Sequence, residues 1–356
     1  MACLMQFLAI IIEKTHVKNL IILIITLSLC ATAAWAGDVE DADAALVRKD
    51  YLTAFSKYKS AAAKNNAYAQ YNLGVMYNNG RGVKQDYAEA VRWYKLAAAQ
   101  GYAQAQSILG VMYDMGLGVQ QDYVEAVRWY KLAAAQGNAS AQSILGVMYD
   151  TGQGVQQDYA EALRWYKLAA AQGNKSSQYN LGVMYDMGLG LQQNYAEAVH
   201  LYKLAAAQGF AQAQLNLGYM YDMGLGVQQD YAEAMRLYKL AAAQGFAEAQ
   251  LNLGVMYDTG RGVKQNYAEA MRWFKLAAAK GDERAQYNLG VMYSYGQGVL
   301  QDYVRAHMWF NISAVKGDKD AINNRDIASS KMDTQQIAQA QKLARDCLER
   351  NLKICD

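Results

Sequence analysis

Hydrophobic and polar positions repeat along this chain with a period of 36 residues. The pair Leu-Gly recurs at Leu73, Leu109, Leu145, Leu181, Leu217, Leu253 and Leu289, with no insertion or deletion between copies. Within each copy two stretches carry the 3.6-residue rhythm of a helix with one buried face. In the first stretch, helix A, Ala69, Leu73 and Tyr77 share a side. In the second, helix B, Tyr87, Ala90, Val91, Tyr94, Ala97 and Ala98 share one side, and Glu89, Arg92 and Lys95 step by three along the other. That step forms a solvated, charge-paired ridge. In the second copy the pattern predicts helix A over about 103–114 and a turn at Met115-Gly116-Leu117-Gly118. Helix B then opens at Asp122, whose carboxylate caps free backbone N–H groups. Glu125, three residues on, is expected to complete a capping-box-like pair. Asn194 and Asn266 take the cap position in two copies, and Gly137 is the expected left-handed residue after helix B.

A pair of helices cannot bury its own apolar face; stacked neighbours can. The expected fold is therefore an all-α solenoid of antiparallel helix pairs. Trp93, Trp129, Trp165, Trp273 and Trp309 recur at one position, with Leu201 and Leu237 in the other two copies. Leu replaces a packing aromatic but not a specific indole contact, so this column reads as core between repeats.

Composition sharpens the picture. There is no Pro among 356 residues, so every turn rests on something else. Four Gly per copy account for all 29 except Gly37, which suits an array and not a mosaic of domains. A net charge of +2 argues against a nucleic-acid partner, which calls for a basic stripe. At the N-terminus an apolar run at 20–29 follows Lys14 and Lys18 and precedes Ala34-Trp35-Ala36. Those are the parts of a secretory signal peptide, cleaved after Ala36. Ten apolar residues are too few to span a bilayer, which takes about 20. Cys30 follows Leu29, where a lipidation site has a small residue, so an anchor there is disfavoured. The stretch 1–16 is long and apolar for a signal's basic region, which makes Val17 an alternative start. The expected destination is the periplasm or the medium, with no integral membrane segment after cleavage.

At this point the residues resemble a known family. Leu73-Gly74, Tyr77, Gly80, Gly82-Val83, Asp86-Tyr87, Ala90, Trp93-Tyr94, Ala97-Ala98 and Gly101 are similar to the Sel1-like repeat, a relative of the tetratricopeptide repeat. The resemblance implies a right-handed superhelix and a role as an adaptor or scaffold for other proteins. It also implies exported factors of envelope assembly, signalling, secretion or host contact. The chain divides accordingly into a signal peptide at 1–36, a shortened capping repeat at 37–66, seven repeats at 67–317 and C-terminal capping helices at 318–356. Thr334 is read as the cap of a closing helix with Ile337, Ala340, Leu343, Ala344, Cys347 and Leu348 on one side. Cys347 and Cys355 are eight apart, about 12 Å of rise in a continuous helix, too far for a disulfide. An intramolecular bond needs a break near Asn351; otherwise the thiols are free or pair between molecules.

Candidate binding positions come from comparing the copies. On helix A the positions of Tyr68, Tyr71, Val75 and Asn79 lie within an arc of about 80°. One varied column is Tyr71, Ser107, Ser143, Tyr179, Leu215, Leu251 and Tyr287. The other is Asn79, Met115, Thr151, Met187, Met223, Thr259 and Tyr295. In tetratricopeptide-like superhelices helix A lines the concave side, so the resemblance places both columns there. Exposed Leu215, Leu251 and Met223 would be out of place on a face that merely drifts. A protein partner is expected. The alternative is an envelope polysaccharide or peptidoglycan stacked on the aromatic positions.

Catalytic material is scarce. Only His200 and His307 survive cleavage; the first sits on the charged ridge and the second beside Met308-Trp309, where packing is expected. The recurring Asp and Glu are read as helix caps. No Cys-x-x-Cys, His-Glu-x-x-His or Gly-x-Ser-x-Gly occurs. Cysteine-rich relatives are described as β-lactamases, but they resemble arrays with a Cys pair in each repeat, and these repeats have none. The expectation is a binding protein with no catalytic residues, metal or cofactor.

Overall fold

A computed structural model of the chain describes residues 37–350 together with 352 and 355. The segment read as a signal peptide, 1–36, lies outside the described residues. Two compact units divide between Gln172 and Gly173. In the first, α1 (37–47) and α2 (Tyr51–Ala63) precede three hairpins: α3 (Ala67–Asn79) with α4 (Tyr87–Ala99), α5 (Ala103–Met115) with α6 (Tyr123–Ala135), and α7 (Ala139–Thr151) with α8 (Tyr159–Ala171). The second holds four: α9 (Lys175–Met187) with α10 (Tyr195–Ala207), α11 (Ala211–Met223) with α12 (Tyr231–Ala243), α13 (Ala247–Thr259) with α14 (Tyr267–Ala278), and α15 (Glu283–Tyr295) with α16 (Tyr303–Ser313). Two further helices, α17 (Lys319–Ser329) and α18 (Thr334–Glu349), close it. Each unit is an all-α solenoid of stacked 36-residue hairpins, and the described residues hold no strand.

The hairpin is fixed by local chemistry. Helix A ends where Gly116 adopts a left-handed φ of 70°, a conformation glycine takes without a Cβ clash. Helix B opens on an aspartate: Asp122 accepts from the N–H groups of Val124 and Glu125. The expected return half of a capping box is not formed. The Asp122 N–H already donates to the Tyr113 carbonyl at 2.9 Å, and Glu125 turns instead to Arg128 at 3.3 Å. A full box occurs at α18, and its cap is Asp333, reciprocated by Gln336, and not Thr334.

Stacking supplies the core. Trp93 of α4 packs against the buried cluster that holds Tyr58, Ala61 and Leu73 of the preceding helices, and Trp129 of α6 against the cluster that holds Tyr94 and Leu109. Leu237 does the same for Tyr202 and Leu217. The indole Nε1 atoms of Trp93, Trp129, Trp165, Trp273 and Trp309 find no hydrogen-bond partner among the described residues. The column therefore acts through its apolar bulk, which is why Leu substitutes for it.

A second interlock runs through a buried glutamine on each helix A, a position the sequence reading passed over. Gln106 donates to the Ala98 carbonyl at 3.1 Å and accepts from Gln136 at 2.7 Å. Gln214 repeats this with Ala206 and Gln244. The series breaks at Gln250, whose Oε1 is buried without a partner among the described residues, because Lys280 stands where the five preceding hairpins have Gln and reaches the Gly245 carbonyl instead. A glutamine can serve both acceptors, as Gln208 does for Gly173 and Gln178 at 3.0 and 2.8 Å. Lys280→Gln is thus expected to stabilise the second unit by about 0.5–1.5 kcal/mol. Urea unfolding checks this, and an unchanged or lower midpoint contradicts it.

Both ends are tied down. On α1, Asp38 pairs with Lys64, the C-cap of α2, at 2.8 Å, and Asp41 with Lys57 within α2 at 2.7 Å. At the other end Ala328, Ala344 and Cys347 join the buried cluster around Trp309 and Phe310. Helix α18 stops at Glu349, and the Leu352 N–H bonds back to the Cys347 carbonyl at 3.0 Å. Cys347 and Cys355 form a disulfide with Cα atoms 4.8 Å apart. Among the described residues no helix is long and apolar enough to cross a membrane.

Candidate functional site

The two varied columns of helix A have different surroundings. Leu215 and Leu251 are 8% and 4% exposed, in the buried clusters that hold Tyr238 of α12 and Phe274 of α14 respectively. The expectation that they are exposed is corrected: they are core. Ser143 is buried and Ser107 half-buried. The tyrosines of this column stack inward. Tyr71 lies 5.0 Å from the Tyr102 ring and 5.9 Å from Tyr94; Tyr179 lies 5.2 Å from Phe210 and 5.8 Å from Tyr202. Tyr287 meets Phe310 at 5.6 Å and accepts from Asn324. The reason is tertiary. Helix B brings its buried aromatic up one side of the column, and the next helix A sets the residue at its N-cap over the top.

The second column is open. Met115, Met187, Met223 and Tyr295 are 64%, 66%, 50% and 74% exposed at the C-terminal ends of α5, α9, α11 and α15. Asn79, Thr151 and Thr259 share that exposure at the ends of α3, α7 and α13.

One residue before this column lies a feature missed from the sequence. Asp114 and Asp150 in the first unit, and Asp186, Asp222 and Asp258 in the second, recur in register inside helix A. They are not caps; the helix C-caps here are the glycines that follow. Burial pushes the pKa of all five carboxyls upward. In the register of the buried Tyr column, a helix-B hydroxyl approaches this layer from behind. Tyr202 donates to Asp186 at 3.1 Å and accepts from Asn216 of the next helix A at 3.3 Å. Tyr130 and Tyr238 occupy the same register opposite Asp114 and Asp222, and each hydroxyl is buried without a hydrogen-bond partner among the described residues. Desolvation holds these phenols far above the ordinary tyrosine range. Asp222 alone of the five has a cation beside it among the described residues, Arg261 Nη1 at 3.5 Å. The signal in the sequence was the 36-residue recurrence of Asp-Met or Asp-Thr; nothing in it announced the burial.

Elsewhere the chemistry is sparse. His200 is exposed on the charged ridge. His307 is 3% exposed under α17, and burial, with Arg325 nearby, holds its pKa below the ordinary value. The ridge carries exposed pairs such as Arg92–Glu89 and Arg236–Glu233, worth a few tenths of a kcal/mol each, roughly. Among the described residues no three His, Cys, Asp or Glu side chains are grouped to hold a metal ion.

The Sel1 repeat model matches seven consecutive segments, 67–102, 103–138, 139–174, 175–210, 211–246, 247–282 and 283–318. Among solved structures, a Sel1 repeat protein from Oxalobacter formigenes is 34% identical, with a TM-score of 0.61, over 67% of this chain and 96% of that one. A protective antigen present in uropathogenic Escherichia coli strains, displaying an SLR fold, is 32% identical over 85% of this chain and 80% of that one, with a TM-score of 0.43. No curated protein matches the sequence.

Proposed function

The chain belongs to the Sel1 repeat family, whose fold serves in general as a scaffold for protein interactions and not as a catalyst, and from that premise we propose that it is an exported adaptor that holds a protein partner on the exposed face of its A helices. The observation that carries this reading is the row of exposed side chains Met187, Met223 and Tyr295 in the second unit, with Met115 exposed at the same register within the first. The hairpins fill their own core without them, and a solvent-facing helix end has no need of a large apolar residue. Methionine is flexible and polarizable and suits a contact surface that adapts to its partner. A glycan reader, by contrast, stacks sugars on free rings, and Tyr71, Tyr179 and Tyr287 already stack on neighbouring rings of the core. Export is supported by the basic, apolar and small-residue order of 14–36.

The test is a photo-crosslinking phenylalanine analogue placed at Met187 or Met223 in intact cells, with Lys131 on the charged ridge as the comparison site. The same protein partner is expected from both methionine positions and not from the ridge. Capture from Lys131 alone, or of glycan in place of protein, overturns the reading. N-terminal sequencing of the mature chain is expected to begin at Gly37; a cell-retained chain that keeps earlier residues removes the exported half of the proposal.

A further inference from the structure

We propose that a recess between α10 and α12, on the B-helix side of the second unit, receives an aromatic side chain of a partner polypeptide. None of the exposed Met and Tyr residues of the A helices lines it, so it stands independently of the reading of that face.

The first argument is a space that the sequence itself vacates. The recess has a volume of about 400 Å³ and is walled by Ala206, Ala207, Leu217, Leu237 and Leu240. Leu237 stands where five other hairpins have Trp. One hairpin later Trp273 packs on the buried cluster that holds Ala242 and Leu253, the counterparts of Ala206 and Leu217. Trp93 and Trp129 do the same on the clusters that hold Ala62 with Leu73 and Ala98 with Leu109. Leu237 joins the equivalent cluster with a smaller side chain, and the outer part of the indole's place stays empty. The floor records the difference. Ala206 is 9% exposed, against 4%, 4%, 3% and 5% for Ala62, Ala98, Ala134 and Ala242, whose clusters each take an indole.

The second argument is charge complementarity at the rim. Arg92, Arg128, Arg164 and Arg272 each lie over the ring of the Trp that follows, 4.7–5.7 Å from its centroid. Each keeps a loose contact of 3.2–3.4 Å with the Glu three residues before it. Arg236 stands at the same register with Leu237 after it, and among the described residues it lies over no ring. Its guanidinium closes on Glu233 instead, with two bonds of 2.6 and 2.7 Å. Lys203 is the other charged group on the recess, so the rim carries two cations against one acid. The face of an aromatic ring is negative and matches that rim; an aliphatic side chain has no such face. The indole Nε1 atoms of Trp93, Trp129, Trp165 and Trp273 have no hydrogen-bond partner among the described residues, so the place selects a flat ring and not a polar group. In those hairpins the ring arrives on a polypeptide, and the open side of the recess admits one delivered in the same way.

The experiment is fluorine NMR of a capped Ser-Gly-Trp-Gly-Ser peptide, its Trp fluorinated, titrated with the full chain. A saturable shift of the fluorine resonance is expected. The unlabelled Trp peptide should reverse it, and the same peptide with Leu in place of Trp should not. Leu237→Trp restores the recurring indole and is expected to abolish the shift without lowering the melting temperature. Ala207→Leu, at an exposed position of the opposite wall, adds bulk to the recess without touching the core and is expected to abolish it too; it decides the matter if Leu237→Trp proves unstable. Arg236→Gln is expected to weaken binding about threefold, the share of the cation over the ring. Absence of a saturable shift, equal displacement by the Leu peptide, or undiminished binding by the filled variants overturns the inference. Binding of free indole without binding of the peptide overturns the polypeptide as its source.

Discussion

Gly118→Ala is expected to destabilise the first unit by about 2–5 kcal/mol, while Gly137→Ala, also at a left-handed residue, costs only about 1–2 kcal/mol. Both glycines have positive φ, 68° and 86°. A Cβ at Gly137 meets nothing within 4 Å, so its penalty is the backbone conformation alone. At Gly118 the same atom lands 2.3 Å from the carbonyl carbon and oxygen of Tyr87, the first residue of α4 in the hairpin before. That is backbone against backbone, and no rotamer relieves it; the turn must lift off the preceding helix. In a stacked array stability is a sum of hairpins and the interfaces between them, so one lifted interface removes a whole term. Urea unfolding of both variants measures the difference. Equal losses at the two positions would refute the assignment of Gly118 to the interface.

Tyr130→Ala is the other large effect, a loss of about 3–5 kcal/mol, against a change within about 1 kcal/mol of zero for Tyr130→Phe. The ring is 0% exposed and packs with Ala126, Ala133, Leu145 and Met148. Truncation leaves a cavity that small residues cannot fill. The hydroxyl has no hydrogen-bond partner among the described residues, so its removal forfeits no bond and ends a desolvation penalty. The chain supports the distinction itself, with Phe274 and Phe310 at the same register in the last two hairpins. The ring also explains Gly110, where an added Cβ would sit 2.5 Å from it. Gly110→Ala is accordingly destabilising in the parent chain. In the Tyr130→Ala background it should turn stabilising, as helix propensity, about 1 kcal/mol in favour of Ala, acts without the clash. A Tyr130→Phe loss near that of Tyr130→Ala would contradict the reading of the orphaned hydroxyl.

How far the amino-acid pattern reaches is clearest residue by residue. The period, the cap at Asp122, the left-handed Gly116 and Gly137, and the indole column were legible because each obeys a rule that acts over a few residues or repeats without exception. Glu125 was misread because its capping role depends on whether the Asp122 N–H is free, and the Tyr113 carbonyl, nine residues back across a turn, takes it. Gln106 was invisible as an interlock because its partners Ala98 and Gln136 belong to two other helices.

For the candidate site the division is sharper. The sequence by itself determined the hairpin, its length, its start and stop residues and the fact that it must stack, since an amphipathic helix pair has no other way to dry its apolar side. Which part of helix A stays open was decided only by the tertiary structure. Leu215 and Met223 are eight residues apart on one helix and within about 80° on a helical wheel, yet one joins the buried cluster around Tyr238 and the other faces water. A wheel supplies angles about an axis; it does not say how far along that axis the neighbouring helices reach. The aromatic of helix B and the N-cap residue of the next helix A close over the first column and stop short of the second. The same packing draws a row of aspartates out of water.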